Sequence, residues 1–385
     1  MKQKYIAAIL CLAVLTVTMA GCSSSSTTDA GTDTSETEEE ETSSVSEEDT
    51  EEEDKIVEES EETDEDAETS YSQMVFAMDT YMTVTAYGSH GEEAVEAAVE
   101  EIERLDGLIS VGDEGSEIYE VNTYGSGTLS PELGYLVMES LELYETTGGL
   151  FDIAIYPLMD AWGFTTEDYQ VPDAATIDTL LELTDASLIN YDSYTGDITF
   201  DMEGMQIDLG GIAKGYTSSQ IMEIFTECGV TSGLVSLGGN VHVLGTKVDG
   251  SLWRVAIQDP DDSSSYIGVL STSDTAVITS GGYERYFEED GVTYHHIIDP
   301  RTGYPADSGV ISSTIVSSDG TLADGLSTAL YIMGVEDAID YWREYGEEFD
   351  FILMDEDKNV YITEGIADSF ETDYTMYVVT ADGIE

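Results

Sequence analysis

The stretch from Ser23 to Ser70 decides how much of this chain can fold. It is Ser, Thr, Asp and Glu almost throughout, with 22 acidic residues against the single Lys55. Val45, Ile56 and Val57 are its only aliphatic residues larger than alanine. So little apolar surface cannot offset the roughly 1–2 kcal/mol of backbone entropy lost per ordered residue, and the segment is expected to be a disordered stalk. Self-repulsion stretches it beyond the roughly 5–6 Å × √n of a neutral flexible linker. Folding therefore falls to residues 71–385, enough for one large or two modest domains with a substantial core. The whole chain holds 82 acidic and 11 basic residues, and outside the stalk and the first 22 residues the balance is 60 to eight. That surface excludes nucleic acid as a partner, because such binding rests on Lys and Arg meeting phosphates. It also makes each of the eight basic residues worth locating.

Residues 1–21 read as an export signal. Lys2 and Lys4 precede an apolar run from Tyr5 to Val17, and Met19-Ala20-Gly21 leads into Cys22. The run is too short for a spanning helix. Cysteine directly after Ala-Gly resembles a bacterial lipobox, in which Cys22 becomes the lipidated first residue. The other reading is an ordinary signal peptide with an incidental Cys22. Acylation implies a membrane partner through a lipid anchor, on the extracytoplasmic face of the cell membrane, with 22–70 as tether. Cys228 then stands alone, leaving neither a disulfide framework nor a cysteine-rich metal site.

Within 71–385, residues 74–87 alternate like a strand. Ala94, Ala98, Ile102, Leu105 and Ile109 recur at helical spacing from Glu92 onward. A second helix starts at Pro131 after Ser130 and stops at Gly148-Gly149. Further helices are expected over 172–185, from the glycine turn after Asp208 to about Gly229, from about Leu322, and over 335–345. Strands are expected as a hairpin at 195–208 turning at Glu203-Gly204, as a pair within 233–245, and at 252–258, 275–279, 292–298, 310–318, 350–354, 359–363 and 374–380. Strands and helices interleave with many antiparallel turns, which sets the class as α+β (mixed α/β), with mixed sheets flanked by helices.

Three short stretches carry chemistry. Asp208-Leu-Gly-Gly-Ile-Ala-Lys-Gly215 turns from extended chain into helix, where glycine N–H groups and the helix end can meet an anion. It is neither of the two common nucleotide motifs, and a capping turn with a surface Lys214 is the plainer reading. Asp324 and Thr328 lie four apart, on one helix face, as oxygen ligands for a hard cation such as Mg²⁺; alternatively, Asp324 caps a helix. His295 and His296, half the histidines of the chain, would point to opposite sides of a strand, so one alone can enter a cleft as a base; a core or structural histidine is the other reading. Arg301 can clamp an anion or pair with Asp299 to lock the turn.

Taken in order, Asp208 to Gly215, Val235-Ser-Leu-Gly-Gly-Asn240, His296-Ile-Ile-Asp-Pro-Arg-Thr-Gly303 and Ala323-Asp-Gly-Leu-Ser-Thr328 resemble the ApbE family, the FAD:protein FMN transferases. Met78-Asp-Thr-Tyr-Met82, Ser116-Glu-Ile118 with Asn122, Gly149-Leu-Phe-Asp152, Pro157-Leu158 and Trp162-Gly-Phe164 match as well, so the resemblance spans 74–385. It implies Mg²⁺-dependent transfer of FMN from FAD to a Thr or Ser hydroxyl of an acceptor protein through a phosphoester bond, with AMP released. FAD is implied in a cleft between two parts of the fold, at Met78, Phe151, Asp152, Asp208, Lys214 and the Ile298 backbone. Asp324, Thr328 and the Gly211 carbonyl are implied as Mg²⁺ ligands with Ser327 beside them, and His296 as the catalytic histidine. An Mg²⁺-dependent FAD pyrophosphatase and a non-catalytic FAD-binding lipoprotein are the competing readings. One departure is Val111-Gly112-Asp113, where the family often carries an aromatic residue.

Overall fold

The stretch 74–87 is not one strand but most of a hairpin. In a computed structural model, which describes residues 69–385, β1 (Ser70–Ala77) and β2 (Thr80–Tyr87) pair antiparallel around a two-residue turn at Met78-Asp79. The export signal, Cys22 and all but the last two residues of the stalk lie outside the described residues. Both turn residues have positive φ, 48° and 59°, the backbone that lets a two-residue loop follow the twist of its strands. Helix α1 (Gly91–Ile109) follows the expected stripe: Ala94, Ala98, Ile102 and Leu105 are fully buried and Glu92, Glu93 and Glu96 face outward. Burying Ile102 or Leu105 is worth roughly 1.5–3 kcal/mol each.

Next come α2 (Glu117–Tyr124), β3 (Ser126–Thr128), α3 (Pro131–Thr146), α4 (Tyr156–Trp162) and α5 (Ala174–Leu181). Pro131 does open α3, but Ser130 makes no side-chain cap. Strands β4 (Ile189–Asp192) and β5 (Asp197–Phe200) join β3 in a small sheet. The expected hairpin over 195–208 is therefore displaced. The turn lies between Asp192 and Asp197, where the Asp192 carboxylate accepts from Tyr194 N at 2.9 Å. Residues 205–208 form no strand.

After α6 (Ala213–Glu227) come β6 (Ser232–Leu237), β7 (Asn240–Gly245), β8 (Trp253–Asp259), β9 (Asp262–Thr272), β10 (Thr275–Ser280), β11 (Tyr286–Glu289), β12 (Val292–His295) and β13 (Val310–Ser317). The chain ends with α7 (Gly320–Met333), α8 (Val335–Tyr345), β14 (Asp350–Asp355), β15 (Asn359–Thr363), β16 (Phe370–Glu371) and β17 (Thr375–Val379). Nine strands form one sheet in the order β1-β2-β6-β7-β10-β13-β14-β15-β17, antiparallel except for β15 beside β17. Alternation splits its faces. Phe351 and Leu353 of β14 point into the core under α7, while Ile352 and Met354 point into a second core beneath the β16-β9-β8 sheet. The fold is mixed α/β, as its alternating patterns require, and helix termini and turns meet at one end of β2, β6 and β7.

Candidate active site

The segment Met205 to Leu209 looks like a strand because Met205, Ile207 and Leu209 point inward and are buried. Its hydrogen bonds go elsewhere. Ile207 N donates to Asn122 Oδ1 at 2.7 Å, Asn122 Nδ2 donates back to Ile207 O at 2.8 Å, and Asp208 N donates to Ile153 O at 2.8 Å. Thus pinned, Asp208 folds its carboxylate over the glycine turn and accepts from Gly210 N at 2.7 Å. The turn passes into α6, whose first residues are Ala213, Lys214 and Gly215. Lys214 Nζ lies 3.3 Å from Gly210 O. Burial pushes the Asp208 carboxyl up, and Gly210 N–H, Arg285 and Lys214 oppose that shift.

Helix α7 crosses α6 at two glycines. A Cβ on Gly215 would stand 2.0 Å from Gly320 O, and one on Gly320 would stand 2.5 Å from Gly215 O, so only glycine permits the contact. The crossing sets Asp324 against the start of α6. Asp324 Oδ2 accepts from Gly215 N at 2.7 Å and Oδ1 from Asn240 Nδ2 at 3.0 Å. Asp324 is therefore a cap after all, but of the neighbouring helix, since Asp319 caps α7 by accepting from Thr321 N and Leu322 N. Burial pushes Asp324 up, with Lys214 as the largest opposing influence. One turn on, Ser280 Oγ lies 2.7 Å from Ser327 Oγ and 3.3 Å from Thr328 Oγ1. Among the described residues no three His, Cys, Asp or Glu side chains cluster closely enough to hold a metal. A cation here would meet one carboxylate and neutral oxygens.

Strand β12 ends at His295, three residues short of expectation, and the two histidines diverge there. His295 turns toward α7, with Nε2 3.1 Å from Ala306 O and its ring edge-on to Tyr331. His296 turns the other way, edge-on to Phe164, with Nδ1 3.2 Å from the Arg285 carbonyl. A carbonyl only accepts, so that contact places the proton on Nδ1 and leaves the Nε2 lone pair for chemistry. Burial, then Arg285, push His296 down to about 3, so the imidazole is neutral. Beyond it Ile298 sits opposite Pro305, with bonds from Ala306 N to Ile297 O and from Asp299 N to Tyr304 O. That pattern turns the N–H and C=O of Ile298 away from Pro305. Arg301 pairs with Asp299 at 2.7 Å, the bracing alternative.

Met78 completes one edge. Its N–H donates to Asp106 Oδ1 at 2.9 Å, and its sulfur lies 3.8 Å from Thr217 Oγ1 on α6. Its left-handed φ is unusual for a side chain without a local hydrogen-bonding group. Phe151 and Asp152 are buried and shape the wall from behind. The Phe151 ring packs under Gly211 and Gly325, and Asp152 accepts from Ala154 N and Ala186 N. Burial pushes Asp152 up to about 6. Val111 packs against the core, so its loop presents no ring.

The structure thus brings Asp208, His296 and Asp324 each within electrostatic reach of Lys214, and adds Arg285, which acts on Asp208 and His296, and Glu284. Sequence reasoning missed Arg285, although it is one of only eight basic residues. Among the described residues five of those eight form ion pairs, and Lys214, Arg285 and Lys247 have no carboxylate within 4 Å. Two of the three stand here.

The ApbE family model matches residues 78–353. The chain is 32% identical over 298 residues to the FAD:protein FMN transferase of Klebsiella pneumoniae, covering 76% of this chain and 92% of that one. It is 31% identical over 319 residues to the FAD:protein FMN transferase of Treponema pallidum, covering 77% and 88%. The crystal structure of the ApbE protein from Thermotoga maritima is similar at 31% identity and TM-score 0.73, covering 77% of this chain and 98% of that one. The flavin transferase ApbE from Vibrio cholerae shares the fold at TM-score 0.68 and 24% identity, covering 80% and 97%.

Proposed function

The chain belongs to the ApbE family, and from that premise we propose that it is an FAD:protein FMN transferase acting on a Thr or Ser hydroxyl of an acceptor protein. The hydroxyl oxygen attacks the FMN-side phosphorus of FAD. A phosphoester P–O bond forms, the pyrophosphate P–O bond to the AMP moiety breaks, and AMP leaves with that oxygen. The observation that carries this reading is His296, neutral and with Nε2 unprotonated, with Arg285 and Lys214 acting on it and Lys214 acting in turn on Asp324.

His296 Nε2 takes the hydroxyl proton. Its low basicity comes from burial and two flanking cations, and the negative charge of a bound pyrophosphate opposes those cations and raises it. Lys214 and Arg285 neutralise charge on the phosphates, which so acidic a domain would otherwise repel. Asp208, Met78 and the Ile298 backbone border the flavin, with Phe151 and Asp152 fixing the wall behind. The donor set fits Mg²⁺: the Asp324 carboxylate, the Thr328 hydroxyl with Ser327 beside it, and the Gly211 carbonyl are all oxygens. A single carboxylate leaves the other positions to phosphates and water. When bound, the metal withdraws charge from the pyrophosphate. Acylation of Cys22 would hold the enzyme on the extracytoplasmic face of the membrane, among acceptors on that side.

The test incubates the full chain with FAD, Mg²⁺ and an acceptor domain, then denatures the mixture. Flavin fluorescence retained on the acceptor band is the expected result. Free FMN and AMP with no labelled acceptor would indicate a pyrophosphatase, and unchanged FAD a binding protein.

A further inference from the structure

The third unpaired cation, Lys247, lies at the opposite end of the same strands. A cavity of about 210 Å³ opens where β2 ends at Tyr87, β6 begins at Ser232 and β7 has just ended, and His90, Thr231, Ser232, Thr246 and Lys247 line it. The length of β2 sets it roughly 23 Å from the turn at Met78, at about 3.3 Å per residue. In a domain with 60 acidic and eight basic residues, no Asp or Glu among the described residues stands in its wall. Asp249, on which Lys247 acts, is turned into its own loop by Ser251 N at 2.9 Å and Ser251 Oγ at 2.6 Å. Ser232 is 8% exposed, and its hydroxyl is buried with no hydrogen-bond partner. A hydroxyl in that state costs free energy unless something completes it.

We propose that this pocket binds a small oxyanion, a phosphate or a carboxylate, held by Lys247 Nζ, the Ser232 hydroxyl and His90. The groups are hydrogen-bond donors of neutral or positive charge, the complement of such a ligand. Two sources supply that chemistry. One is a free anion. The other is the acidic stalk itself, which joins the domain at the rim of the pocket, where Gly88 N donates to Thr69 O at 2.9 Å. Asp64, Glu65, Asp66 and Glu68 come just before that point.

Trp253 is a built-in reporter, with Lys247 Nζ 6.0 Å from its ring centroid. The full chain is titrated with inorganic phosphate while tryptophan fluorescence is followed. A second full-length protein carries Asp64→Asn, Glu65→Gln, Asp66→Asn and Glu68→Gln. A saturable response is expected in at least one background. Lys247→Met should weaken it at least about tenfold, as loss of a charge-assisted contact does. Ser232→Ala should weaken it less, with circular dichroism and FMN transfer unchanged in both variants. Phosphate binding in the native chain identifies a free anion as occupant, and binding only after neutralisation identifies the stalk. No saturable response in either background, or one that survives Lys247→Met, overturns the proposal.

Discussion

The active site has two walls, and different forces hold them. The α6–α7 wall rests on backbone touching backbone at Gly215 and Gly320, with the buried Asp324 carboxylate bonded to Gly215 N and Asn240. The β11–β12 wall rests on rings. Phe287 stacks on Tyr169 and on Tyr294, both at 5.3 Å, and the hairpin tip around Glu288, Glu289 and Asp290 is exposed. Glycine contacts tolerate no repacking, whereas ring contacts slide at little cost. The wall that would hold the metal and phosphates is therefore preorganised. The wall that carries His296 belongs to a two-stranded ribbon, a less stable element on its own.

Substitutions that break this contrast should differ sharply in size. Gly215→Val should be the most damaging, because a Cβ there meets Gly320 O at 2.0 Å and the Asp324 Cβ at 2.5 Å. A loss of about 3 kcal/mol or more, or failure to fold, is expected from overpacking against backbone. Denaturant unfolding checks it, and a near-native midpoint would mean the helices can part. His242 lies behind the same wall, its Nδ1 3.0 Å from Ser218 Oγ, which donates to Gly215 O at 2.7 Å. Burial pushes it down to about 4, with Asp319 and Asp274 opposing. Between about pH 6.5 and 4 the unfolded chain binds more protons there, so stability is full above 6.5 and falls with pH, by up to about 3 kcal/mol. Asp152, pushed up to about 6, acts in the opposite direction over about pH 4 to 6. Comparing native chain with His242→Gln in melts across that range isolates the histidine, and parallel curves would dismiss it.

Asp324→Ala strands the Gly215 N–H and should cost about 1–3 kcal/mol. It should also flatten the Mg²⁺ dependence of transfer, and an unaltered metal titration would remove Asp324 from the proposed ligand set. The smallest effect is expected on the hairpin side. Arg301→Ala removes a pair between an exposed guanidinium and the buried Asp299 carboxylate, which the backbone N–H of residue 301 still bonds, and should cost about 1 kcal/mol or less, leaving transfer nearly intact. A large loss of transfer would make Arg301 a ligand contact and not a brace.

The two walls also differed in how far the sequence disclosed them. The i, i+4 spacing of Asp324 and Thr328 and the glycines beside Lys214 stand in the primary structure, because helix geometry maps spacing directly onto a face. What spacing could not disclose is that Asp324 caps the neighbouring helix, a consequence of the glycine crossing. The divergence of His295 and His296 followed from two-residue alternation. Strand β11, Tyr-Phe-Glu-Glu, offered too weak an apolar pattern to be recognised, so Arg285 and its carbonyl stayed hidden. Residues 205–208 misled for the opposite reason. Their alternation is real, but Asn122 and Ile153 take the hydrogen bonds that a strand would have used. Tertiary partners decided both cases.

The division of labour between the walls is tested most directly by His296→Ala, with single-turnover FMN transfer and FAD affinity measured on the same preparation. The expected result is FAD affinity within a few-fold of native and a transfer rate lower by about 10²–10⁴, the usual contribution of a positioned base. Affinity and rate falling together would reduce His296 to a structural part of the hairpin, and an unchanged rate would contradict its role as base altogether.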